Sequence, residues 1–274
     1  MFIKISTILL ALTAGLALPG CGKQSATESN VEAIEQSDSI PEGVKRLVRA
    51  LADNDTDSFA EMVSYPLQRP YPLHDIHDAA QMKKYYREMV DDSLRNAIIK
   101  SRPGQWKDHG WRGWSLEDGH YIWIDETVYD VQYISQKELR KIDSLTNEEV
   151  KSINPRIRDG WRPVLCLRDR ANGRVYRIDT RTKNKENTPH LYRLAMYGDN
   201  ADLRGLPALL LEGVMESEGS AGTVLYRFQD KEGKELILEP DAPDSGYPIL
   251  IEPNDSVIEL NRAYWHELIN TPRQ

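Results

Sequence analysis

A dense group of potential metal ligands lies in the segment LHDIHD, residues 73–78. The side chains of His74, Asp75, His77 and Asp78 offer two imidazoles and two carboxylates, which are groups that ligate zinc. The segment stands directly before a predicted amphipathic helix, where Asp78 is a natural N-cap residue. We therefore expect a loop that starts a helix, and the sequence by itself predicts no metal site.

His120 and Asp125 flank the apolar stretch YIWI and are the candidates for a catalytic acid–base pair. Their odd separation places them on opposite faces of an unbroken strand, so they are poor partners. His109, His190 and His266 are scattered in the sequence. The sequence contains no glycine-rich phosphate loop, nucleophile elbow or HExxH motif. We expect no catalytic set and no cofactor.

Cations concentrate between residues 156 and 185 of an otherwise acidic chain. One interpretation is a face that contacts an anionic lipid or a polysaccharide. The other, which we favour, is a set of solvated strand faces and loops. The cations are Arg156, Arg158, Arg162, Arg168, Arg170, Arg174, Arg177, Arg181, Lys183 and Lys185.

The elements that carry these residues follow an N-terminal leader. Residues 5–18 are uncharged and follow Lys4. This run is too short for a membrane span, since crossing the hydrocarbon core takes about 20 apolar helical residues. Its length and flanks are those of a secretory signal peptide, which we assign to residues 1–20.

The sequence Leu18-Pro19-Gly20-Cys21 resembles the lipobox of bacterial lipoproteins. The resemblance implies that Cys21 becomes the mature N-terminus and carries a lipid, with palmitate-like acyl chains that anchor the protein in the cell envelope. The alternative is an ordinary secretory signal with an incidental cysteine. In a cell with two membranes, Gly22 favours the outer membrane, with the protein facing the periplasm.

Charge and cysteine usage narrow the classes of partner. The formal net charge is −8 and there are two cysteines in 274 residues. An acidic chain is a poor candidate for nucleic-acid binding, which needs lysine and arginine. Once Cys21 is acylated, Cys166 has no partner, so we expect no disulfide and no cysteine-based zinc site. Cys166 lies in the apolar run PVLCLR and is expected to be a small core side chain.

The polar, acidic stretch 21–40 is predicted to be a flexible tether. Apolar residues at helical spacing then predict amphipathic helices around 44–51, 59–63 and 82–90. Aspartates of DNDTD (53–57) and Asp91 are expected to cap the helices that follow them. Capping-box patterns at Ser135 and Thr146 predict two further short helices. The Asp118-Gly119 pair predicts a hairpin within residues 111–126.

Short alternating strands separated by glycine turns dominate the rest of the chain, which favours a β-sandwich or a small barrel. We predict an α+β protein with an N-terminal domain over 41–155 and a β-sandwich-like domain over 156–274. The expected strands are 163–168, 174–179, 191–197, 208–216, 223–229, 234–239, 247–251 and 256–261.

Residues 41–135 resemble the cone-shaped fold of the nuclear transport factor 2 and ketosteroid isomerase superfamily. The strings that carry the resemblance are VKRLVRALADNDTDSFAEMVSYPL (44–67) and GWRGWSLEDGHYIWID (110–125). The second string, together with residues 201–228, is similar to bacterial envelope proteins of unknown role that add a C-terminal β domain. The resemblance implies helices packed on a curved antiparallel sheet, but no particular activity, because this fold hosts many functions.

A cone of this kind has an apolar interior that aromatic side chains could line. They could hold an apolar or sugar-like ligand, or simply fill the interior as core. The candidate residues are Tyr85, Tyr86, Trp111, Trp114, Tyr121 and Trp123.

The leading functional hypothesis is a non-enzymatic, lipid-anchored envelope protein that binds a protein or glycan partner, and not nucleic acid. A second hypothesis is an immunity-type protein that neutralises a toxin in the periplasm. A third is an isomerase-like or dehydratase-like enzyme that uses the cone, which would require a deep pocket with a carboxylate of raised pKa.

Overall fold

Short helices form the first part of the chain in the computed structural model, which describes residues 26–181, 191–218, 223–242 and 247–271. Their apolar faces pack together into one core. The helices are α1 (Ala26–Glu35), α2 (Glu42–Ala52), α3 (Thr56–Glu61), α4 (Ala79–Met89) and α5 (Asp92–Ile99).

Aspartate side chains start three of these helices. Asp55 accepts hydrogen bonds from two backbone amides of α3, Asp78 accepts one from Gln81, and Asp91 accepts two at the start of α5. These bonds satisfy amides that a helix leaves without partners in its first turn. The predicted caps are therefore confirmed.

Helix α1 lies within the stretch that composition predicts to be a tether. Ile34 is fully buried, and Val31 packs against the same core. The two residues share a helix face, because they are three positions apart. This apolar face is hard to recognise in the sequence, because α1 is polar apart from the few apolar residues that dock on α2 and α5.

A small antiparallel sheet follows the helices. Its strands are β1 (Trp106–Asp108), β2 (Trp114–Leu116), β3 (Trp123–Ile124) and β4 (Val128–Asp130), paired in chain order. Strands β2 and β3 form the predicted hairpin, with Trp114 opposite Ile124. The strands are only two or three residues long, and they do not form a clear cone.

Helix α6 (Gln136–Ser152) links the two parts of the chain. The Ser135 and Glu138 side chains form the predicted capping box. The second predicted start, at Thr146, is wrong, because Thr146 and Glu149 are buried along one continuous helix. The residue types of a capping box can therefore also occur in the middle of a helix, on the face that packs against the protein interior.

Eight antiparallel strands close into a barrel in the second part. Each strand pairs with its neighbours in sequence, and β12 pairs back onto β5. The strands are β5 (Arg162–Asp169), β6 (Val175–Arg181), β7 (Leu191–Tyr197), β8 (Leu209–Glu218), β9 (Thr223–Gln229), β10 (Glu235–Glu239), β11 (Ile249–Ile251) and β12 (Val257–Ala263).

The positions of all eight strands match the prediction, and the α+β class is correct. The packing of these strands differs from the predicted sandwich, because one closed sheet wraps around a single interior. That interior is filled by Leu167, Tyr176, Ile178, Leu194, Leu211, Phe228, Leu236, Leu238, Leu250 and Leu260. Closure leaves the barrel without edge strands.

The outer face of β5, β6 and β7 is covered by α6 and the short helix α7 (Trp265–Leu268). Trp265 is fully buried there, with Tyr197 at 5.2 Å between ring centroids. Its indole Nε1 donates a 2.8 Å hydrogen bond to the Ser152 hydroxyl of α6. This junction places the C-terminal helix beside the loop that follows α3.

Cys166 is fully buried in this junction, as predicted for a core side chain. Burial raises the pKa of its thiol far above the usual range, and the nearby Glu149 carboxylate acts in the same direction. We therefore expect iodoacetamide to leave Cys166 unmodified in the folded protein and to alkylate it fully in denaturant. Peptide mass spectrometry measures this, and rapid alkylation without denaturant would contradict it.

Candidate functional site

The six aromatic residues predicted to line a cone lie in different surroundings. Tyr86 belongs to the helical core, where its ring packs edge-on against Phe59 at 5.4 Å. Trp111 is 87% exposed. Tyr85 lies under the Lys141 ammonium group at 4.9 Å. Tyr86 is therefore a core residue, Trp111 is a surface residue, and Tyr85 belongs to a contact between two helices.

The remaining three predicted aromatics lie on or beside the small sheet. Tyr121 stacks on Tyr133, and Trp123 contacts the His109 ring at 4.7 Å. Trp114 is half-buried against the helical core. None of the six lines either of the two cavities described below. His120 and Asp125 are both exposed beside this sheet.

The LHDIHD segment sends its polar side chains in different directions. His77 and Asp78 are exposed, and Asp78 caps α4 as predicted. Asp75 turns toward the barrel and accepts a 2.8 Å hydrogen bond from Nη1 of Arg262. His74 turns toward α7. The segment therefore contributes Asp75 to a contact with the barrel and His74 to a contact with α7.

One end of the barrel opens into a cavity of about 560 Å³, which we call the barrel mouth. The barrel contributes the start of β5, the end of β8, the start of β9 and the end of β12. Residues 68–71 and Asp75 of the first part close the other side. The apolar wall consists of Val164, Leu165, Leu167, Met215, Val224, Tyr226 and Tyr247.

Arg262 is one of the two arginines that line the barrel mouth. It follows Ile258 and Leu260 of β12 at alternate positions, and both of these pack into the barrel interior. Alternation along the strand therefore directs Arg262 inward as well. Its two terminal nitrogens bond Asp75 and the carbonyl oxygen of Arg69. The Nε atom is buried and has no hydrogen-bond partner among the described residues.

Arg69 holds the loop that closes the mouth. Its guanidinium is buried and makes a two-pronged pair with Glu138, at 2.9 and 2.8 Å. It also donates to the carbonyl oxygens of Val131 and Tyr133. Fork-to-fork pairs of this kind restrict geometry strongly. The carbonyl of Arg69 is thereby fixed where Arg262 reaches it.

Tyr226 supplies a hydroxyl near the apolar wall. Burial raises the pKa of Tyr226 to about 12, with Tyr192 and Asp241 contributing in the same direction. The hydroxyl is therefore protonated at neutral pH and can donate a hydrogen bond. The Tyr192 and Tyr226 rings meet edge to face at 5.1 Å, which orients this side chain.

The predicted cationic segment divides among different roles. Arg177 is fully buried in an ion pair with Asp179, whereas Arg168 and Arg170 border an open cavity of about 810 Å³ on the barrel exterior. Lys183 and Lys185 lie outside the described residues. The prediction of solvated strand faces and loops is therefore wrong for Arg177, which is buried.

A group of potential metal ligands borders this second cavity. His74, His266 and Glu267 each offer one ligand atom, and these atoms lie within 4.8 Å of one another. The sequence pattern missed this group because His74 and His266 are far apart in the sequence. It missed Arg262 for a related reason, since an arginine at a strand end is ordinary in sequence.

The predicted lipid-attachment residue Cys21 lies outside the described residues. Within the part of the chain that the structure covers, no helix combines the length and apolar character needed to cross a membrane.

Comparison of the chain with protein-family models, curated proteins and solved structures finds no match.

Proposed function

We propose that this is a lipid-anchored protein of the cell envelope that binds a small molecule in the barrel mouth. The ligand has an apolar body and at least one oxygen that accepts a hydrogen bond. The observation that carries the proposal is Arg262, which lines the barrel mouth beside its apolar wall and whose buried Nε lacks a hydrogen-bond partner among the described residues.

The size of the cavity supports a small ligand. Pockets for small molecules span roughly 300–1,000 Å³ and combine apolar walls with a few polar groups. The barrel mouth, at about 560 Å³, is in this range.

The charges of the barrel mouth support an oxygen acceptor. An unbonded buried N–H costs free energy of about 1–3 kcal/mol, and a ligand oxygen recovers it. Asp75 already compensates the positive charge of Arg262, so a neutral oxygen satisfies the site as well as an anionic one. The protonated Tyr226 hydroxyl offers a second donor on the same wall.

The test uses anilinonaphthalene sulfonate, which joins an apolar ring system to an oxygen-bearing group. We expect saturable binding by the folded full chain in detergent solution, after correction for dye bound by the micelles. A Met215→Trp variant fills the cavity and is expected to weaken binding at least tenfold. The measurement is a fluorescence titration, with near-ultraviolet circular dichroism to confirm folding.

Val214→Trp is the matched control. Val214 and Met215 are adjacent and similarly exposed, at 40% and 43%, but only Met215 borders the cavity. The control should bind the dye as the unaltered protein does. Equal losses in both variants, or no saturable binding by the unaltered protein, would reject the barrel mouth as the ligand site.

A further inference from the structure

The side chains of His74, His266 and Glu267 meet at the junction between the two parts of the chain. His74 comes from the loop between α3 and α4, whereas His266 and Glu267 belong to α7. His74 Nε2 lies 3.0 Å from Glu267 Oε1, and the two imidazole rings are edge to face at 6.0 Å between centroids. Two imidazoles and a carboxylate therefore converge from distant positions in the sequence.

Packing holds the two imidazoles in place. The His74 ring lies against Tyr264 at 3.9 Å between centroids. The next residue of α7, Trp265, is fully buried, and its backbone amide donates to the Tyr71 hydroxyl. The helix that carries His266 and Glu267 is consequently anchored on both sides.

A buried carboxylate orients His266. Glu149 is fully buried and lies 2.8 Å from Nδ1 of His266. The Tyr71 hydroxyl donates to the same carboxylate at 2.8 Å. Metal-binding histidines commonly give their other ring N–H to a carboxylate, which fixes the tautomer and the ring orientation. The bond to Glu149 leaves Nε2 as the nitrogen of His266 for a metal ion.

The donor set selects among metals. Ca²⁺ and Mg²⁺ prefer sites made of oxygen atoms, whereas imidazole nitrogen suits zinc and its transition-metal neighbours. Two histidines with one glutamate are a known three-residue set for Zn²⁺ with an open fourth position. His74 and Glu267 also border the cavity of about 810 Å³, so a fourth ligand can enter from solvent.

The required movement is small. Bond lengths of about 2.0–2.1 Å place tetrahedral ligand atoms roughly 3.3 Å apart. The three ligand atoms are within 4.8 Å of one another, and two of them are already 3.0 Å apart. The side chains of His74 and Glu267 are 38% and 53% exposed, so small rotations of both can bring their ligand atoms to His266 and close the set.

We propose that His74, His266 and Glu267 bind one Zn²⁺ ion, with Glu149 as the positioning residue for His266 and the fourth position open to the adjoining cavity. The ion ties the loop between α3 and α4 to α7. It thereby links the first part of the chain to the C-terminus of the barrel part. This site is separate from the barrel mouth and does not depend on the ligand proposed there.

The test is titration of the metal-free full chain in detergent solution with Zn²⁺, followed by calorimetry. We expect one ion per chain. His74→Ala and His266→Ala should each weaken binding at least tenfold. Titration with Co²⁺ gives a second readout, because four-coordinate Co²⁺ has visible absorption bands that a purely structural role for these residues would not produce.

His77→Ala is the matched control, since His77 belongs to the same segment but is exposed and outside the group. It should bind Zn²⁺ as tightly as the unaltered chain. Melting in the presence of a chelator identifies variants that fail to fold, and Glu267→Gln, at an exposed side chain, provides a further variant. The site is rejected if the unaltered chain does not bind Zn²⁺, or if the cluster variants and His77→Ala bind it alike.

Discussion

Replacing Asp179 with alanine is expected to lower the free energy of unfolding by about 3–5 kcal/mol, because removal of one partner of a buried ion pair leaves uncompensated charge in the interior. Asp179 is fully buried on the outer face of the barrel. It is bonded by Arg177 on its own strand and by Arg193 on the neighbouring strand β7.

The geometry explains why the effect should be large. Arg177 Nε lies 2.7 Å from one oxygen of Asp179, and Arg193 reaches the other oxygen with two nitrogens at 2.8 and 2.7 Å. Trp265 covers Arg177 at 4.3 Å, and Trp161 covers Arg193 at 4.5 Å. The alanine variant would leave two guanidinium groups between two indole rings without a carboxylate.

Chemical denaturation of the variant and the unaltered chain measures this loss. Asp143→Ala is the control, because Asp143 is exposed and lies 3.9 Å from the exposed Arg162. Exposed ion pairs contribute little to stability, so this control should unfold at the original denaturant concentration. A loss below about 1 kcal/mol for Asp179→Ala would show that water reaches the two arginines.

The second large effect is expected from Cys21→Ser, which should move the protein from the membrane fraction to the soluble fraction. Each buried methylene of an acyl chain contributes about 0.8 kcal/mol, and two chains are sufficient for stable anchoring. Serine lacks the thiol to which the proposed diacylglyceryl group would be attached. Among the residues that the structure describes, no helix is long and apolar enough to cross a membrane.

Fractionation of cells that express each variant tests the anchor, and mass spectrometry of the N-terminal peptide detects the acyl chains. Cys166→Ala is the matched control, since it removes the other cysteine from the barrel junction. It should remain with the membranes. If Cys21→Ser also remains there after a high-salt wash, the lipid anchor is refuted.

Much of the local structure was predictable from short stretches of sequence. Asp55, Asp78 and Asp91 start helices because a carboxylate satisfies the free amides of a first turn wherever the chain goes afterwards. The strand positions followed from alternation and glycine turns, which are equally local. Helix α1 was not predicted, because it has too few apolar residues to show a helical pattern in the sequence. Its apolar face becomes evident only where α2 and α5 cover it.

Little of the two candidate sites was predictable. Arg262, Asp75 and Arg69 become neighbours only when the end of β12 is placed against the loop after α3. His74 and His266 likewise meet through that junction. No periodic pattern in the sequence encodes such a meeting, because it depends on how separate elements dock.

The sequence alone determined the α+β class, the positions of the strands and most helix starts, since these depend on interactions over a few residues. The tertiary structure decided that the strands close into a barrel, because alternating strands suit a sandwich and a barrel equally well. It also decided that Arg177, Asp179 and Arg193 are buried. Local polarity places these side chains on a solvated face, and only the packing of Trp265 over Arg177 and of Trp161 over Arg193 removes that face from water.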